Sequence, residues 1–191
     1  MMNKPEATGM LAPKEPVKAK EEEKAVKEEP KRYYGADAVQ QATKYYGFKG
    51  PISETARTII EEEGFVPGVY ADSKGIETEG VGQTKDMIGK NFFTEVLPEY
   101  ERTASRNTKN FSSLPEKVQA AIVSMAYRGD WGPNTKANLK AGKWREAAAQ
   151  YLDHDEFRKG RRKGATDAQV AIADRMERNA RTLFEHADST D

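Results

Sequence analysis

The chain has 191 residues, enough for one domain of ordinary size together with an extension. Its 31 basic and 31 acidic residues cancel, so the composition gives no sign of a strongly basic nucleic-acid-binding protein. Cysteine is absent, which excludes disulfide bridges and cysteine-bound metal clusters. No apolar run approaches the roughly 20 residues of a membrane span, and the N-terminus lacks the apolar core of a secretory signal. Composition therefore leaves both enzymatic and structural functions open.

Residues 1–50 differ in composition from the rest of the chain. Residues 1 to about 32 are mainly Lys, Glu, Pro and Ala, and such a segment buries too little apolar surface to offset the entropy cost of ordering it. We therefore expect it to be disordered. The segment 33–48 has a helix-like centre between five aromatic residues, which are Tyr33, Tyr34, Tyr45, Tyr46 and Phe48. It is either a partner-docking element or an ordered lead-in that packs on the main domain, and the second interpretation is favoured.

A Gly-Pro pair at residues 50–51 marks the boundary after which apolar residues recur periodically. A helix is predicted over 53–64, because this segment begins at a capping serine and ends at a glycine. The glycine-rich segment 68–84 predicts short strands joined by a turn at 72–75.

Every later segment has a helical pattern. The predicted helical segments are 84–107, interrupted at Pro98; 114–129; 134–153, hinged at Gly142; and 167–187. A small β element followed by a helical body predicts an α+β domain over residues 51–188.

Six acidic residues lie in the segment 59–84. Glu63 is in the last turn of the first helix, where the negative end of the helix dipole disfavours an ionised carboxylate and suits a general acid. Asp72 opens a turn whose backbone N–H groups can hold a carboxylate ionised. Such a pair across a cleft can hydrolyse a glycosidic bond, and Thr78 could hold a water beside Asp72. The remaining four, Glu61, Glu62, Glu77 and Glu79, are expected to be solvated.

Each of the three candidates also has an ordinary structural explanation when taken singly. Glutamate before a helix-ending glycine, aspartate in a turn and threonine in a strand are all common. Their spacing in combination is more specific, with eight residues between Glu63 and Asp72 and five between Asp72 and Thr78.

This spacing resembles the Glu–Asp–Thr signature of the T-even-type phage lysozymes and endolysins, the family 24 glycoside hydrolases. Three later blocks agree with the family in the same order. Residues 114–129 resemble its central buried helix, residues 139–152 its Lys-Trp and Glu-Ala-Ala segment, and residues 175–184 its arginine-rich closing helix. The resemblance covers about residues 52–185.

The resemblance implies a two-lobed, lysozyme-like α+β fold, with a small β-hairpin lobe, a larger all-helical lobe and a cleft between them. It implies an N-acetylmuramidase that hydrolyses the β-1,4 bond between N-acetylmuramic acid and N-acetylglucosamine in peptidoglycan, without metal or cofactor. Glu63 would be the general acid, Asp72 the base or electrostatic partner of the attacking water, and Thr78 the residue that positions this water.

The resemblance also implies an arginine of the closing helix beside the catalytic glutamate. Arg175 and Arg178 are the candidates, and Arg175 is preferred. The residues expected to bind substrate are Tyr127, Arg128, Gln150 and Gln83. Of these, Gln83 stands where the family often has histidine, so it is expected to support the catalytic pair.

Two other charged segments are expected to carry no function. The acidic and histidine residues of 153–156 have the wrong spacing for a metal site on a helix, and a charged helix start is the favoured interpretation. The basic cluster at 157–164 is expected to be a solvated loop, so no nucleic-acid partner is predicted.

The leading interpretation is a monomeric phage enzyme that acts on peptidoglycan glycan strands after synthesis in the host cytoplasm without a signal peptide. It would be either a free endolysin or a virion-associated lysozyme. The N-terminal extension slightly favours the second, as a tether to a virion or tail protein. A non-catalytic lysozyme-like structural or wall-binding protein, and a lytic transglycosylase that needs no water-activating aspartate, are the alternatives.

Overall fold

The computed structural model describes residues 30–72 and 74–190. The α-helices are α1 (Gly35–Tyr45), α2 (Glu54–Glu63), α3 (Leu97–Arg106), α4 (Glu116–Arg128), α5 (Pro133–Ala141), α6 (Trp144–Leu152), α7 (Asp155–Gly160) and α8 (Asp167–Thr190). The strands are β1 (Val66–Ala71), β2 (Glu77–Gly80) and β3 (Gln83–Thr84). The described chain is therefore mostly helical with one small sheet, which confirms the predicted α+β class. Disorder is expected for residues 1 to about 32, and most of these lie outside the described residues.

Helix α2 forms where its boundary residues predict. The Ser53 hydroxyl accepts a hydrogen bond from the Ala56 N–H at 3.1 Å, which satisfies one of the free donors of the first turn. Gly64 ends the helix with φ of 73°, a conformation that favours glycine, and its N–H donates to the Ile60 carbonyl. The buried Ile59 and Ile60 face the core, so the last turn of α2 has a fixed orientation.

The sheet is antiparallel in the order β1-β2-β3. Tyr70 pairs with Thr78, and Thr78 pairs with Thr84. The pairing register of β1 and β2 shifts between Val66 and Val69. Pro67 lies in this interval and has no N–H to donate to the neighbouring strand. The predicted hairpin is thus present and is extended by a short third strand.

Helix α4 is the centre of the helical body, as expected from its apolar sequence. It is buried along most of its length and packs against α2, α3 and α8. Helix α8, which has 24 residues, also packs against α6 and α7. The predicted hinge at Gly142 is confirmed, since this glycine ends α5 with φ of 73°.

One helix prediction and one loop prediction are wrong in part. The first half of 84–107 is a 3₁₀ turn and a loop, and a π-helical turn at Phe92–Val96 leads into α3. Pro98 lies in the first turn of α3 rather than interrupting a helix. Proline is tolerated there because the N–H groups of a first turn have no partner within the helix. The basic cluster at 157–164 is also not all loop, since its first residues belong to α7.

The described part of the N-terminal extension packs on the sheet and on α2. Tyr33 and Phe65 exchange two backbone hydrogen bonds of 2.8 and 2.9 Å. Ala38 and Ala42 of α1 are fully buried in the common core. Gly50-Pro51 therefore lies in a connection between two packed helices, and the folded unit extends further toward the N-terminus than the predicted boundary.

None of the helices within residues 30–72 and 74–190 has the length and apolar character needed to cross a membrane.

Candidate active site

Glu63 is the last residue of α2, and its side chain is 12% exposed. Two arginines from other helices approach its carboxylate. Arg128, at the end of α4, donates to Oε2 at 2.8 Å. Arg175 of α8 brings Nη1 to 3.8 Å from Oε1, which is an ion pair without a close hydrogen bond. The carboxylate of Glu63 is thus bounded by two positive charges.

Arg175 is held by a second carboxylate. Its side chain is 7% exposed, and Nη2 donates to Asp130 Oδ2 at 3.0 Å. The Tyr151 hydroxyl donates to the other oxygen of Asp130 at 2.9 Å. Burial by itself lowers the pKa of Arg175, but the carboxylates of Asp130 and Glu63 outweigh it and raise the pKa above its usual value. Sequence reasoning missed Asp130, since the turn that contains it has no motif that marks a charged partner.

The structure separates the two arginine candidates. Arg175 faces Glu63, whereas Arg178 lies one turn further along α8, with Nη2 at 3.6 Å from Glu62 Oε1. Adjacent carboxylates at the end of α2 therefore have different arginine partners.

Glu62 is not solvated as expected, because it packs between α4 and α8. Its side chain is 10% exposed, and it accepts a hydrogen bond from the Ser124 hydroxyl at 2.7 Å. Asn179 in turn donates to the Ser124 oxygen at 3.1 Å. Burial raises the pKa of the Glu62 carboxyl, and the hydrogen bond and the arginines only partly oppose this effect.

Asp72 opens the turn between β1 and β2. Its Oδ1 accepts hydrogen bonds from the backbone N–H groups of Lys74 and Ile76, both at 2.8 Å. Its carbonyl accepts from the Gly75 N–H at 2.9 Å. The turn therefore fixes the carboxylate through Oδ1, and no hydrogen bond from the described residues of the turn reaches Oδ2.

Thr78 lies on β2 and is buried. Its hydroxyl donates to the Ile76 carbonyl at 3.0 Å, and the same carbonyl accepts from the backbone N–H of Asp72. The structure thus brings Thr78 and Asp72 together around one backbone group. A hydroxyl that donates in this way keeps lone pairs with which to accept a hydrogen bond from water.

The turn between β2 and β3 connects this hairpin to Glu63. A Cβ atom at Gly82 would lie 3.9 Å from Glu63 Oε2, so the turn passes close to the carboxylate. The Tyr127 hydroxyl donates to the Val81 carbonyl at 2.8 Å and fixes the turn to the end of α4. Burial raises the pKa of the Tyr127 phenol well above its usual value. Tyr127, expected to bind substrate, therefore uses its hydroxyl within the protein.

Glu79 is a second acidic residue whose expected exposure is wrong. It is buried on β2, where its carboxylate accepts from the Tyr45 hydroxyl at 2.8 Å and the Gly89 N–H at 2.5 Å. The hydrogen bond to Glu79 raises the pKa of Tyr45. Glu61 and Glu77 are exposed, as expected.

Gln83 is 2% exposed, and its amide is engaged at both ends. Its oxygen accepts from the Tyr46 hydroxyl at 2.5 Å, and its nitrogen donates to the carbonyls of Met87 and Lys90 at 3.0 and 2.9 Å. These bonds leave it a supporting role in the sheet and correct its expected place among the substrate-binding residues.

Gln150 of α6 accepts a hydrogen bond from the Asn134 side chain at 3.3 Å. Both line a groove between α5 and α6 with Ala137, Asn138, Glu146 and Ala149. This groove contains none of the residues that contact Glu63, so the structure does not group Gln150 with Arg128 or Tyr127.

Several charged residues of the segments 153–156 and 157–164 have partners within the protein. Within residues 30–72 and 74–190 no group of three or more His, Asp or Glu side chains could hold a metal ion. His154 accepts from the Glu156 N–H and so caps α7. In the basic cluster, Arg158 pairs with Asp153 and Asp155, and Arg161 pairs with Asp174 and Glu177.

No family model matches the chain, and no curated protein does. Among solved structures, the fold is similar to that of the active form of the P1 phage endolysin Lyz, with a TM-score of 0.51 and 14% sequence identity. The match covers 78% of this chain and 94% of that chain. At this identity the likeness concerns the fold, and it does not single out the T-even type. The chain therefore has a lysozyme-like α+β fold.

Proposed function

We propose that this protein is a peptidoglycan hydrolase of phage type, an N-acetylmuramidase that uses Glu63 and Asp72. The observation that carries this proposal is the largely buried Glu63 carboxylate at the end of α2, beside the β2–β3 turn of the same sheet that carries Asp72 and Thr78. The likeness to a phage endolysin supports the same reaction class.

In this mechanism the protonated Glu63 gives its proton to the glycosidic oxygen as the bond from this oxygen to the sugar C1 breaks. Asp72 Oδ2 accepts a proton from water, and the water oxygen forms the new bond to C1. Thr78 accepts a hydrogen bond from this water and so holds it. Arg128 is the more exposed partner of Glu63, at 35% against 7% for Arg175. We expect substrate to draw Arg128 away from Glu63, because an adjacent cation favours the ionised carboxylate.

The primary test is clearing of a peptidoglycan suspension by the wild type and by Glu63→Gln. We expect the variant to clear at least about 100-fold more slowly, the lower end of the usual contribution of a general acid. The matched control is Glu61→Gln, which changes an exposed carboxylate on the same helix and should clear at the wild-type rate. If the wild type clears no faster than Glu63→Gln, the protein is a non-catalytic lysozyme-like protein.

The second test is Asp72→Asn. The asparagine oxygen can still accept from the Lys74 and Ile76 N–H groups, so the turn and the melting temperature should be retained. Clearing should fall by at least about 100-fold, because the amide cannot take a proton from water. Glu77→Gln, on the exposed side of the same hairpin, is the control. Wild-type clearing by Asp72→Asn would remove Asp72 from the mechanism.

Product analysis separates hydrolysis from transglycosylation. Hydrolysis by water leaves reducing muramic acid ends, whereas attack within the sugar leaves anhydromuramic ends. Mass spectrometry of the soluble products should show the reducing ends. Anhydro ends would assign the protein to the lytic transglycosylases.

We further propose action from the virion, through a partner bound by the N-terminal extension. Tyr33, Tyr46 and Phe48 pack against the core, whereas Tyr34 and Tyr45 are exposed and are the aromatic residues of 33–48 that could make this contact. Peptides of the protein in purified particles would support this proposal, and their restriction to lysates would contradict it.

A further inference from the structure

Asp130 lies in the connection between α4 and α5 and shares Arg175 with Glu63. The two carboxylates are not equal partners. Arg175 Nη2 is 3.0 Å from Asp130, a hydrogen-bond distance, whereas Nη1 is 3.8 Å from Glu63. Tyr151 fixes Asp130 from its other side. The guanidinium is therefore oriented by Asp130, and Glu63 receives only its longer contact.

We propose that Asp130 is a positioning residue that holds Arg175 back from Glu63 and so keeps Glu63 able to carry a proton. This inference rests on the proposed function, in which Glu63 is the general acid. A general acid loses activity if a cation pairs with it closely, because the cation stabilises the ionised form.

The remaining charges around Glu63 make such restraint necessary. The charged or titratable groups that face it are Glu62 of α2, Tyr127 and Arg128 of α4, and Arg175 of α8. Arg128 can leave toward solvent, but Arg175 is buried and cannot. Removal of the Asp130 charge would free Arg175 to approach Glu63 and would also remove a negative charge nearby. Both effects favour the ionised form of Glu63.

The test is the pH–activity profile of Asp130→Asn. In the wild type, activity should fall on the alkaline side as the general acid ionises. We expect Asp130→Asn to move this alkaline limb to lower pH by about one unit, the low end of the shift that an opposite charge causes. A limb that stays in place, with activity reduced equally at all pH values, would overturn the proposal.

Two control variants separate charge from packing. Tyr151→Phe removes the other hydrogen bond to Asp130 but keeps the carboxylate, so it should reduce stability without moving the limb. Asp130→Glu keeps the charge and should retain the wild-type limb position. Movement of the limb in Tyr151→Phe by as much as in Asp130→Asn would show a general packing effect and would contradict the proposal.

Asp130→Asn leaves a buried arginine with less compensation, and it could fail to fold. In that case Arg175→Gln is compared with the double variant Asp130→Asn/Arg175→Gln, which contains no unpaired charge at these positions. Because the proposal has Asp130 act chiefly through Arg175, the alkaline limb should differ between these two variants by much less than about one pH unit. A difference of about one unit in the absence of Arg175 would show that Asp130 acts on Glu63 directly and would overturn the proposal.

A measurement that does not depend on activity distinguishes a failure of the proposed role of Asp130 from a failure of the proposed function. The carboxyl resonance of Glu63, assigned by its loss in Glu63→Gln, is titrated by NMR in the wild type and in Asp130→Asn. A lower titration midpoint in the variant supports the role of Asp130 even if the wild type clears no peptidoglycan. An unchanged midpoint overturns it even if the wild type is active.

Discussion

At the scale of single residues, the end of α2 presents two adjacent carboxylates in different surroundings. Glu63 is beside two arginines and a turn of the sheet, whereas Glu62 is inserted between two helices and bonded to Ser124. Neighbouring residues on a helix differ in direction by about 100°, which is enough to place them in separate networks. In the proposed function Glu63 is the general acid, whereas Glu62 contributes to packing.

Glu62 should make the stability of the protein depend on pH. Its pKa is raised from 4.5 in the folded state, so the folded protein holds this proton more firmly than the unfolded chain does. The free energy of unfolding therefore falls as pH rises from about 4.5 through the raised value. Glu62→Gln cannot ionise, so we expect it to gain stability relative to the wild type above that interval and not below it. Urea unfolding at a series of pH values measures the difference.

Glu61→Gln is the matched control for this prediction. Glu61 is exposed on the same helix, so its removal should not change the pH dependence of unfolding. A Glu62→Gln variant that is less stable than the wild type at neutral pH would show that the charged form of Glu62 is favourable, which would contradict the prediction.

The sequence locates Glu63 and Asp72 because each occupies a recognisable local position, a helix end and a turn. It could not show that Glu62 and Glu79 are buried. Glu62 is covered by α8, which lies more than a hundred residues away in the chain, and Glu79 is covered by Tyr45 of the N-terminal segment. Only the packing of distant elements determines these two environments.

At the scale of elements, α7 and α8 approach closely at Gly160. This glycine is buried, and a Cβ atom placed on it would clash with the Gln169 carbonyl and the Ala173 side chain. The absence of a side chain at Gly160 therefore permits the contact between the two helices.

We expect Gly160→Ala to lower the free energy of unfolding by about 1–3 kcal/mol, because α7 and α8 must separate to accept the methyl group. Denaturant unfolding measures this loss. Gly132→Ala is the control for added volume, since nothing lies within 4 Å of a Cβ atom there. Any loss at this position reflects only the poorer capping of α5 by alanine and should be smaller than the loss in Gly160→Ala. Equal stability of the two variants would contradict the close approach.

Other boundaries were predicted correctly where one residue determines the local conformation. Ser53 begins α2, and Gly64 and Gly142 end helices with positive φ, which glycine adopts without strain. The charged start of α7 was anticipated at 153–156, but its continuation into the basic cluster was not. This sequence is short and charged, and the ion pairs that accompany it reach partners in other segments, such as Asp174. Such pairs do not produce a helical pattern of apolar residues.

At the scale of the whole molecule, the segment before α2 is attached to the sheet by side-chain hydrogen bonds. Tyr46 donates to Gln83 and Tyr45 donates to Glu79, while Asn91 donates to the Tyr46 carbonyl at 3.0 Å. The sequence pattern predicts the α+β class from the order of the elements. It could not predict this attachment, because its partners are more than 30 residues apart and share no periodicity.

Tyr46→Phe tests how much this attachment contributes. The variant leaves the buried oxygen of Gln83 without its hydroxyl donor, so we expect a loss of about 1–3 kcal/mol in the free energy of unfolding. Tyr34→Phe, at a residue that is 66% exposed, should have little effect in the same denaturant titration. If both variants lose the same stability, or if neither loses any, the Tyr46 hydrogen bond does not hold the segment before α2 on the sheet.

The attachment also determines how the protein would respond to mechanical load. Tension applied to the chain at residue 30 would pass first into the two backbone bonds between Tyr33 and Phe65, at the start of the sheet. The same sheet carries Asp72 and Thr78. A pull from the N-terminal side would therefore strain the small lobe before it reached the helical body, and the spacing of the two carboxylates would respond to force.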